Sequence, residues 1–350
     1  MRVVGMLLVA TLLACAPAAP RAPRAEPGAP TPGAAPAAGA PPRLERVRIA
    51  YATPSGAFAA PWMAKEAGLF EKYGLDAELT YVASGPTLLS SMLAGELDFG
   101  ELAAPSSMNA YLESGEVVWI TSAVNRPVLF LLAPPEITRP EDLRGRPVGV
   151  TRLGTTTHTF MRLALQQAGL DPERDVQILQ TGGVPETIAA LQAGRIYAAV
   201  SGPPSHLRAL QGGMHILSDL ATLGIPWPFG GSIATRSAIA AHPERVQNYV
   251  KAYTEALHLL RTDRERAVEV IASYSQITDR AIAEQTWEIF RPYYSLPPYP
   301  DPAAMEIVVR EELAAINPKA WEVPPQAFYD DRFVRALDES GFVRALQGRS

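Results

Sequence analysis

The chain has 350 residues, 31 Lys plus Arg against 36 Asp plus Glu, and a single cysteine. A net charge of −5 excludes a general nucleic-acid binder, which needs a basic face to neutralise phosphates, and one cysteine excludes an internal disulfide framework or a cysteine-rich metal site. With 47% apolar and 19% charged residues, the composition is that of a globular chain long enough for about two domains.

Arg2 opens the chain, and Val3 to Leu13 is an apolar run of eleven residues. That is too short to span a bilayer, which takes roughly 20, and it has the size of a signal-peptide core. The run ends in Leu12-Leu13-Ala14-Cys15, which resembles a bacterial lipobox. The resemblance implies a signal peptide over 1–14 and a lipid on Cys15. That lipid would hold the exported chain at the outer face of the cytoplasmic membrane or in the periplasm; an ordinary signal peptide with a chance cysteine is the alternative. Residues 16–43 include eleven Ala, nine Pro and three Gly, a composition that packs no core and favours extended conformations. With Cys15 they read as a tether over 15–43 that carries no chemistry.

From Leu44 the texture changes. Val47 to Tyr51 alternates as a strand, Thr53-Pro54-Ser55-Gly56 is a turn, and Ala59 to Tyr73 reads as a helix with Pro61 in its first turn and Gly74 as its stop. Leu75 to Ala83 repeats at period two as a second strand. Gly85-Pro86 breaks it, Thr87 to Ala94 is a short helix, and Leu97 to Gly100 begins a third strand. Alternation of strands with helices predicts right-handed β-α-β units and a mostly parallel sheet.

The pattern restarts at Arg146. Strands over 146–150, 176–179 and 197–200 alternate with a loop and helix over 154–169 and helices over 185–194 and 204–210. The turn phrase Leu93-Ala94-Gly95-Glu96-Leu97-Asp98-Phe99 finds its counterpart in Leu191-Gln192-Ala193-Gly194-Arg195-Ile196-Tyr197. Val128 to Ala133 is an apolar crossing between the two sets, and Pro226 to Ala234 leads back. The segment His242 to Tyr274 reads as one long helix with an apolar stripe of Val246, Val250, Tyr253, Leu257 and Leu260. The expected fold is therefore α/β and two-lobed, each lobe a mixed sheet flanked by helices, with two hinge crossings. Lobe I takes 44–128 and 232–350, and lobe II takes 129–231. In such sheets ligands bind beyond the carboxyl ends of the strands, here in the cleft between the lobes.

Several phrases carry a family resemblance: Ala60-Pro61-Trp62-Met63-Ala64-Lys65-Glu66-Ala67-Gly68-Leu69-Phe70, Leu93 to Gly100, Glu141-Asp142-Leu143-Arg144-Gly145-Arg146-Pro147-Val148-Gly149-Val150, Ala241-His242-Pro243-Glu244-Arg245-Val246, and Phe328 to Val334. Together they resemble the solute-binding proteins of ABC importers, in the branch that handles nitrate, sulfonates and thiamine-pyrimidine precursors. The resemblance covers residues 46 to about 343. It implies a type II periplasmic-binding-protein fold, a small organic ligand (a sulfonate, a carboxylate, or a pyrimidine- or flavin-like molecule) and an ABC permease as partner. It implies a monomer without cofactor or metal, attached to membrane lipid through Cys15.

Thr155, Thr156 and Thr157 follow a strand and open a helix, where backbone N–H groups and the helix dipole suit an anion; one such residue is an ordinary cap, and here there are three. His158 is either a further donor or structural. In the first lobe Ser55 and Gly56 precede the first helix, and Phe58 or Trp62 would stack on a planar ligand, unless Trp62 packs between helix and sheet. Ser84, Glu101, Ala103 and Ser106 sit at pocket positions implied by the resemblance. A carboxylate at Glu101 would favour a cationic group and oppose an anion. Asn125 before the first crossing, Gly183 and Ser201 in the second lobe, and the aromatics Tyr51, Trp227 and Phe229 complete the candidates. The five histidines show no metal-binding spacing. An enzyme on the same fold is the rival reading, but the cofactor-bearing lysine and cysteine-rich segment of thiamine-pyrimidine synthases find no match in a body whose lysines are 65, 72, 251 and 319. A binding protein serving another transporter or a sensor is the second rival.

Overall fold

A computed structural model describes residues 44–314 and 317–348. The signal peptide, Cys15 and the tether lie outside the described residues. Among the described residues no helix is long and apolar enough to cross a membrane.

Among the described residues ten strands form two sheets of five. The first contains β1 (Glu45–Tyr51), β2 (Leu75–Tyr81), β3 (Phe99–Leu102) and β4 (Val117–Trp119); the second contains β5 (Phe130–Ala133), β6 (Pro147–Val150), β7 (Gln177–Gln180), β8 (Ala199–Ser201) and β9 (His215–Asp219). The last strand, β10 (Gly231–Thr235), returns to the first sheet. The orders are β2-β1-β3-β10-β4 and β7-β6-β8-β5-β9, the same plan twice. In each sheet three strands run parallel, and the fourth is delivered from the other lobe antiparallel to both its neighbours. The chain thus crosses between lobes twice, and each crossing ends as a strand of the sheet it reaches.

The two crossings are tied to each other. Ala123 and Val124 donate their N–H groups to Gly230 O at 2.7 and 2.9 Å, and Gly230 N returns a bond to Val124 O at 3.0 Å. Glycine is required here by space: a Cβ on Gly230 would stand 2.4 Å from Ala57 O, and one on Gly231 would stand 2.3 Å from Thr121 O. A third segment braces the pair, with Ser295 N bonded to Ala123 O at 2.7 Å and Ser122 N to Pro298 O at 2.9 Å.

The helices of the first lobe are α1 (Ala59–Glu66), α2 (Leu69–Lys72), α3 (Gly85–Leu93) and α4 (Ser106–Ser114), and those of the second are α5 (Thr156–Gln167), α6 (Val184–Gln192) and α7 (Ser205–Gln211). After β10 come α8 (Arg236–Ala241), α9 (Pro243–Thr262) and α10 (Arg264–Tyr274). Two helices expected as continuous are divided. Gly68 takes a left-handed φ of 66°, which ends α1 and restarts the chain as α2. Asp263 interrupts the long helix because its carboxylate accepts from Arg266 N at 3.2 Å, capping α10 and competing with continuation of α9. The stripe Val246, Val250, Tyr253, Leu257 and Leu260 is fully buried, as its spacing predicts. The edge strands β4 and β9 go unread in the sequence.

Candidate functional site

The parallel strands of both sheets point their carboxyl ends at one cavity of about 80 Å³ between the lobes. The first lobe contributes Thr53, Ser55, Phe58, Ser84, Ala103 and Ser106, and the second Thr151, Thr155, Thr156, Thr157, Ser201 and Ser205; Leu129 and Phe229 come from the crossings. Ten of these side chains are hydroxyls and no charged side chain lines the wall, so its polarity is that of neutral donors and backbone.

The backbone contribution is oriented. Gly85, Ser106, Thr156, Val184 and Ser205, the first residues of α3, α4, α5, α6 and α7, all line the cavity. None of these five helices has a side-chain cap. Among the other described α-helices, Thr235 caps α8, Asp263 caps α10, and Asp279 and Asp301 cap the helices Arg280–Phe290 and Pro302–Val308, while α1, α2, α9, Arg332–Glu339 and Phe342–Gln347 carry no side-chain cap either. The first turn of a helix holds N–H groups with no intrahelical acceptor, and its end carries about half a positive charge. Five such ends on one cavity make a field for a negative group without a single formal positive charge.

The lobes are shut on this cavity. Thr156 Oγ1 donates across the cleft to Ala104 O. Ser55 Oγ donates to Pro203 O at 3.2 Å, and Trp227 Nε1 reaches Ala104 O at 3.3 Å. Thr155 and Thr157 form a triangle of hydroxyls with Thr151, with Oγ1–Oγ1 distances of 2.9 to 3.1 Å. Thr155 Oγ1 also lies 2.7 Å from Arg152 O. The three threonines therefore play distinct parts: Thr156 ties the lobes, while Thr155 and Thr157 hold each other at the wall.

Ser55, Phe58, Ser84, Ala103, Ser106, Thr155, Thr156, Thr157, Ser201 and Phe229 thus meet at the cavity, and the other candidates sit behind it. Trp62 is fully buried and stacks on Tyr274 with centroids 5.3 Å apart; Tyr51 packs edge-on against it at 5.1 Å. Trp227 is fully buried against Phe160. Gly56 lets Phe290 approach and gives its carbonyl to Tyr294 Oη at 2.7 Å. Asn125 belongs to the crossing, where its Oδ1 accepts from Ser122 Oγ at 2.6 Å. Gly183 precedes α6 and leaves the space in which Tyr81 and Glu186 approach it. His158 accepts Gly154 N on Nδ1 at 3.2 Å, and burial lowers its pKa.

Glu101 departs furthest from expectation. It is fully buried, and its carboxyl accepts from Ser232 Oγ and, at 2.9 Å, from Tyr249 Oη on α9. Burial pushes it up to about 8, against the opposing pull of those hydroxyls, so it is mostly neutral at pH 7. It puts no negative charge on the cavity.

Sequence reasoning missed Thr53, Thr151, Ser205, Leu129 and Val184. Thr151 directly follows a strand and Ser205 opens a helix, so the strand-end rule that found Thr155 would have found both.

The model of the family described as NMT1/THI5 like matches residues 56–267. A protein of Brucella abortus provisionally named a binding protein is 26% identical over 247 residues, covering 68% of this chain and 74% of that one. A Brachyspira hyodysenteriae protein provisionally named an ABC transporter periplasmic binding protein is 28% identical over 221 residues, covering 59% and 63%. Among solved structures, the alkanesulfonate-binding protein SsuA from Xanthomonas axonopodis pv. citri, bound to MOPS, superposes with a TM-score of 0.65 at 22% identity, over 82% of this chain and 96% of that one.

Proposed function

The chain belongs to the NMT1/THI5-like family, and from that premise we propose that it is the exported solute receptor of an ABC importer that captures a small organic anion, a sulfonate or a carboxylate. The observation that carries this reading is the convergence of five uncapped helix starts on a hydroxyl-lined cavity with no charged wall. The first 43 residues hold four Arg and one Glu, leaving a body with 27 basic and 35 acidic groups, so the overall field repels an anion and the attraction must be local. Helix starts and hydroxyls supply it at short range, where long-range repulsion is screened. The names of the Brachyspira relative and of the Xanthomonas structure agree with this reading.

Capture proceeds by hinge closure. Lobe I, residues 44–128 and 232–350, and lobe II, residues 129–231, each contribute helix starts, so a ligand bonded to both shifts the population to the shut state. Cys15 carries the lipid that keeps the receptor beside its permease. A thermal-shift panel of methanesulfonate, ethanesulfonate, succinate, a pyrimidine and riboflavin tests the ligand class. A bound ligand stabilises by about 2.7 kcal/mol at a hundred times its Kd. Stabilisation by the anions supports the reading, and stabilisation by the neutral compounds alone overturns it.

A further inference from the structure

Beside the cavity lies a groove of about 410 Å³, larger than the cavity itself, and the two share a rim. Ser106, at the start of α4, lines both. Gly85 lines the cavity and its neighbour Pro86 the groove; Thr155 lines the cavity and its neighbour Gly154 the groove. The rim is therefore built from the starts of α3 and α4 on the first lobe and of α5 on the second. Within the first lobe these starts are closely seated, since a Cβ on Gly85 would stand 2.5 Å from Ser106 Oγ. On the other side a Cβ on Gly154 would meet nothing within 4 Å. The open part of the rim thus lies at Gly154, where the lobes meet.

The groove is apolar where the cavity is hydroxylic. Pro86, Leu89 and Leu93 of α3 line it with Pro105, Leu153 and Leu313. Its polar side chains are already engaged: Ser90 Oγ donates to Pro86 O at 3.0 Å, and Asn109 Nδ2 donates to the Glu113 carboxylate at 2.7 Å. Glu113 is the one charged residue of its wall, so the groove offers nothing to a second anion. Among the described residues six large apolar side chains are exposed. Two of them, Leu93 at 47% and Leu153 at 52%, stand on this groove from opposite lobes. Single exposed apolar residues need no explanation, but two that meet on one groove mark a contact surface.

We propose that the ligand is an anionic amphiphile, whose head group sits in the cavity and whose hydrocarbon tail leaves between Ser106 and Gly154 to lie in the outer groove. The proposal rests on the reading of the cavity as an anion site and adds the second half of the molecule. The head is held by helix starts and hydroxyls, and the tail by leucines and prolines of the same helices one turn further out. Both lobes wall the groove, through α3 and α4 on one side and Leu153 and Gly154 on the other. A tail therefore bridges the lobes as the head does, and each added methylene favours the shut state. A fully buried methylene strengthens binding about fourfold, and one lying in an open groove about twofold.

The test is titration calorimetry of the full chain, carrying Cys15→Ser, with ethanesulfonate, butanesulfonate and octanesulfonate. Affinity should climb along the series, by about 60-fold over the six methylenes between the first and the last. Octanesulfonate should bind one to a chain and displace ethanesulfonate. Leu93→Ser combined with Leu153→Ser, two exposed positions whose change spares the fold, should cut the octane-to-ethane ratio about fourfold or more. A flat series among sulfonates that bind overturns the tail and leaves the anion reading of the cavity standing. Octanesulfonate that binds without displacing ethanesulfonate makes the groove a separate apolar site and overturns the proposal, as does an undiminished ratio in the double variant. Octyl methyl sulfone, the neutral counterpart, should bind far more weakly than octanesulfonate; equal binding overturns the anionic head while the chain-length series still reports the tail. If none of the sulfonates binds, both readings fall.

Discussion

Replacing Thr156 by Val removes the hydroxyl that ties α5 to Ala104 O across the cleft and keeps the side-chain shape. The magnitude follows from what stays behind. Ala104 O retains Trp227 Nε1 at 3.3 Å, so the carbonyl is not orphaned and the loss is one net hydrogen bond of about 0.5–1.5 kcal/mol. That bond exists only between shut lobes, so the whole cost falls on the closed state and appears as affinity, about a 2- to 12-fold rise in Kd. The helix start is not the victim, because Thr155 supplies no side-chain cap to α5 and Thr156 is the first residue inside it. The unliganded, open protein should therefore melt within about 2 °C of the parent. Isothermal titration with the best-stabilising sulfonate, paired with calorimetric melting of the empty protein, reads both quantities. An unchanged Kd with a lowered melting temperature would refute the reasoning, because it would make Thr156 a local prop of α5 and not a tie between lobes.

Capping separates structure from site elsewhere in the chain. Asp263→Ala removes a real cap from α10 and should cost about 1 kcal/mol of stability in denaturant melts without changing ligand affinity, whereas Thr155→Ala gives up the bond to Arg152 O and should both cost about 1 kcal/mol and weaken binding. Gly231→Ala should destabilise the protein by about 1–3 kcal/mol in the same melts, since its Cβ meets backbone at 2.3 and 2.8 Å that cannot step aside; a neutral outcome would show that the crossings yield. Glu101 is held up to about 8 by burial, while an unfolded glutamate titrates near 4.3, so the folded state keeps a proton that the unfolded state gives up. Stability should then fall by about 1.4 kcal/mol per pH unit between those values and level off above 8. Glu101→Gln should flatten that profile; a profile that keeps its slope would place the titrating group elsewhere.

The architecture is legible in the chain because strand and helix periods differ and because each lobe repeats the same order of elements. What the period does not carry is the local competition of a single residue. Gly68 and Asp263 each divide a helix that apolar spacing runs straight through, one by a left-handed backbone and one by a capping carboxylate. The cavity is legible wherever small hydroxyl residues sit between a strand end and a helix start, as at Ser55, Ser84 and Thr155. It is not legible for large aromatics. Trp62 lies one turn into α1 and is fully buried, and its stacking partner Tyr274 ends α10 far along the chain, so no local pattern says which side it takes. Glu101 shows the same limit on a strand. It is next to Leu102, which lines the cavity, yet alternation turns its carboxyl the other way into α9.

The central claim is that helix starts and hydroxyls, without a formal positive charge, select a negative head group. Titration calorimetry of ethanesulfonate against its neutral isostere ethyl methyl sulfone tests it most directly, because the two differ in charge and little in shape. The sulfonate should bind measurably and the sulfone at least about 100-fold more weakly, a difference of about 2.7 kcal/mol. Equal affinities, or a preference for the sulfone, would contradict it.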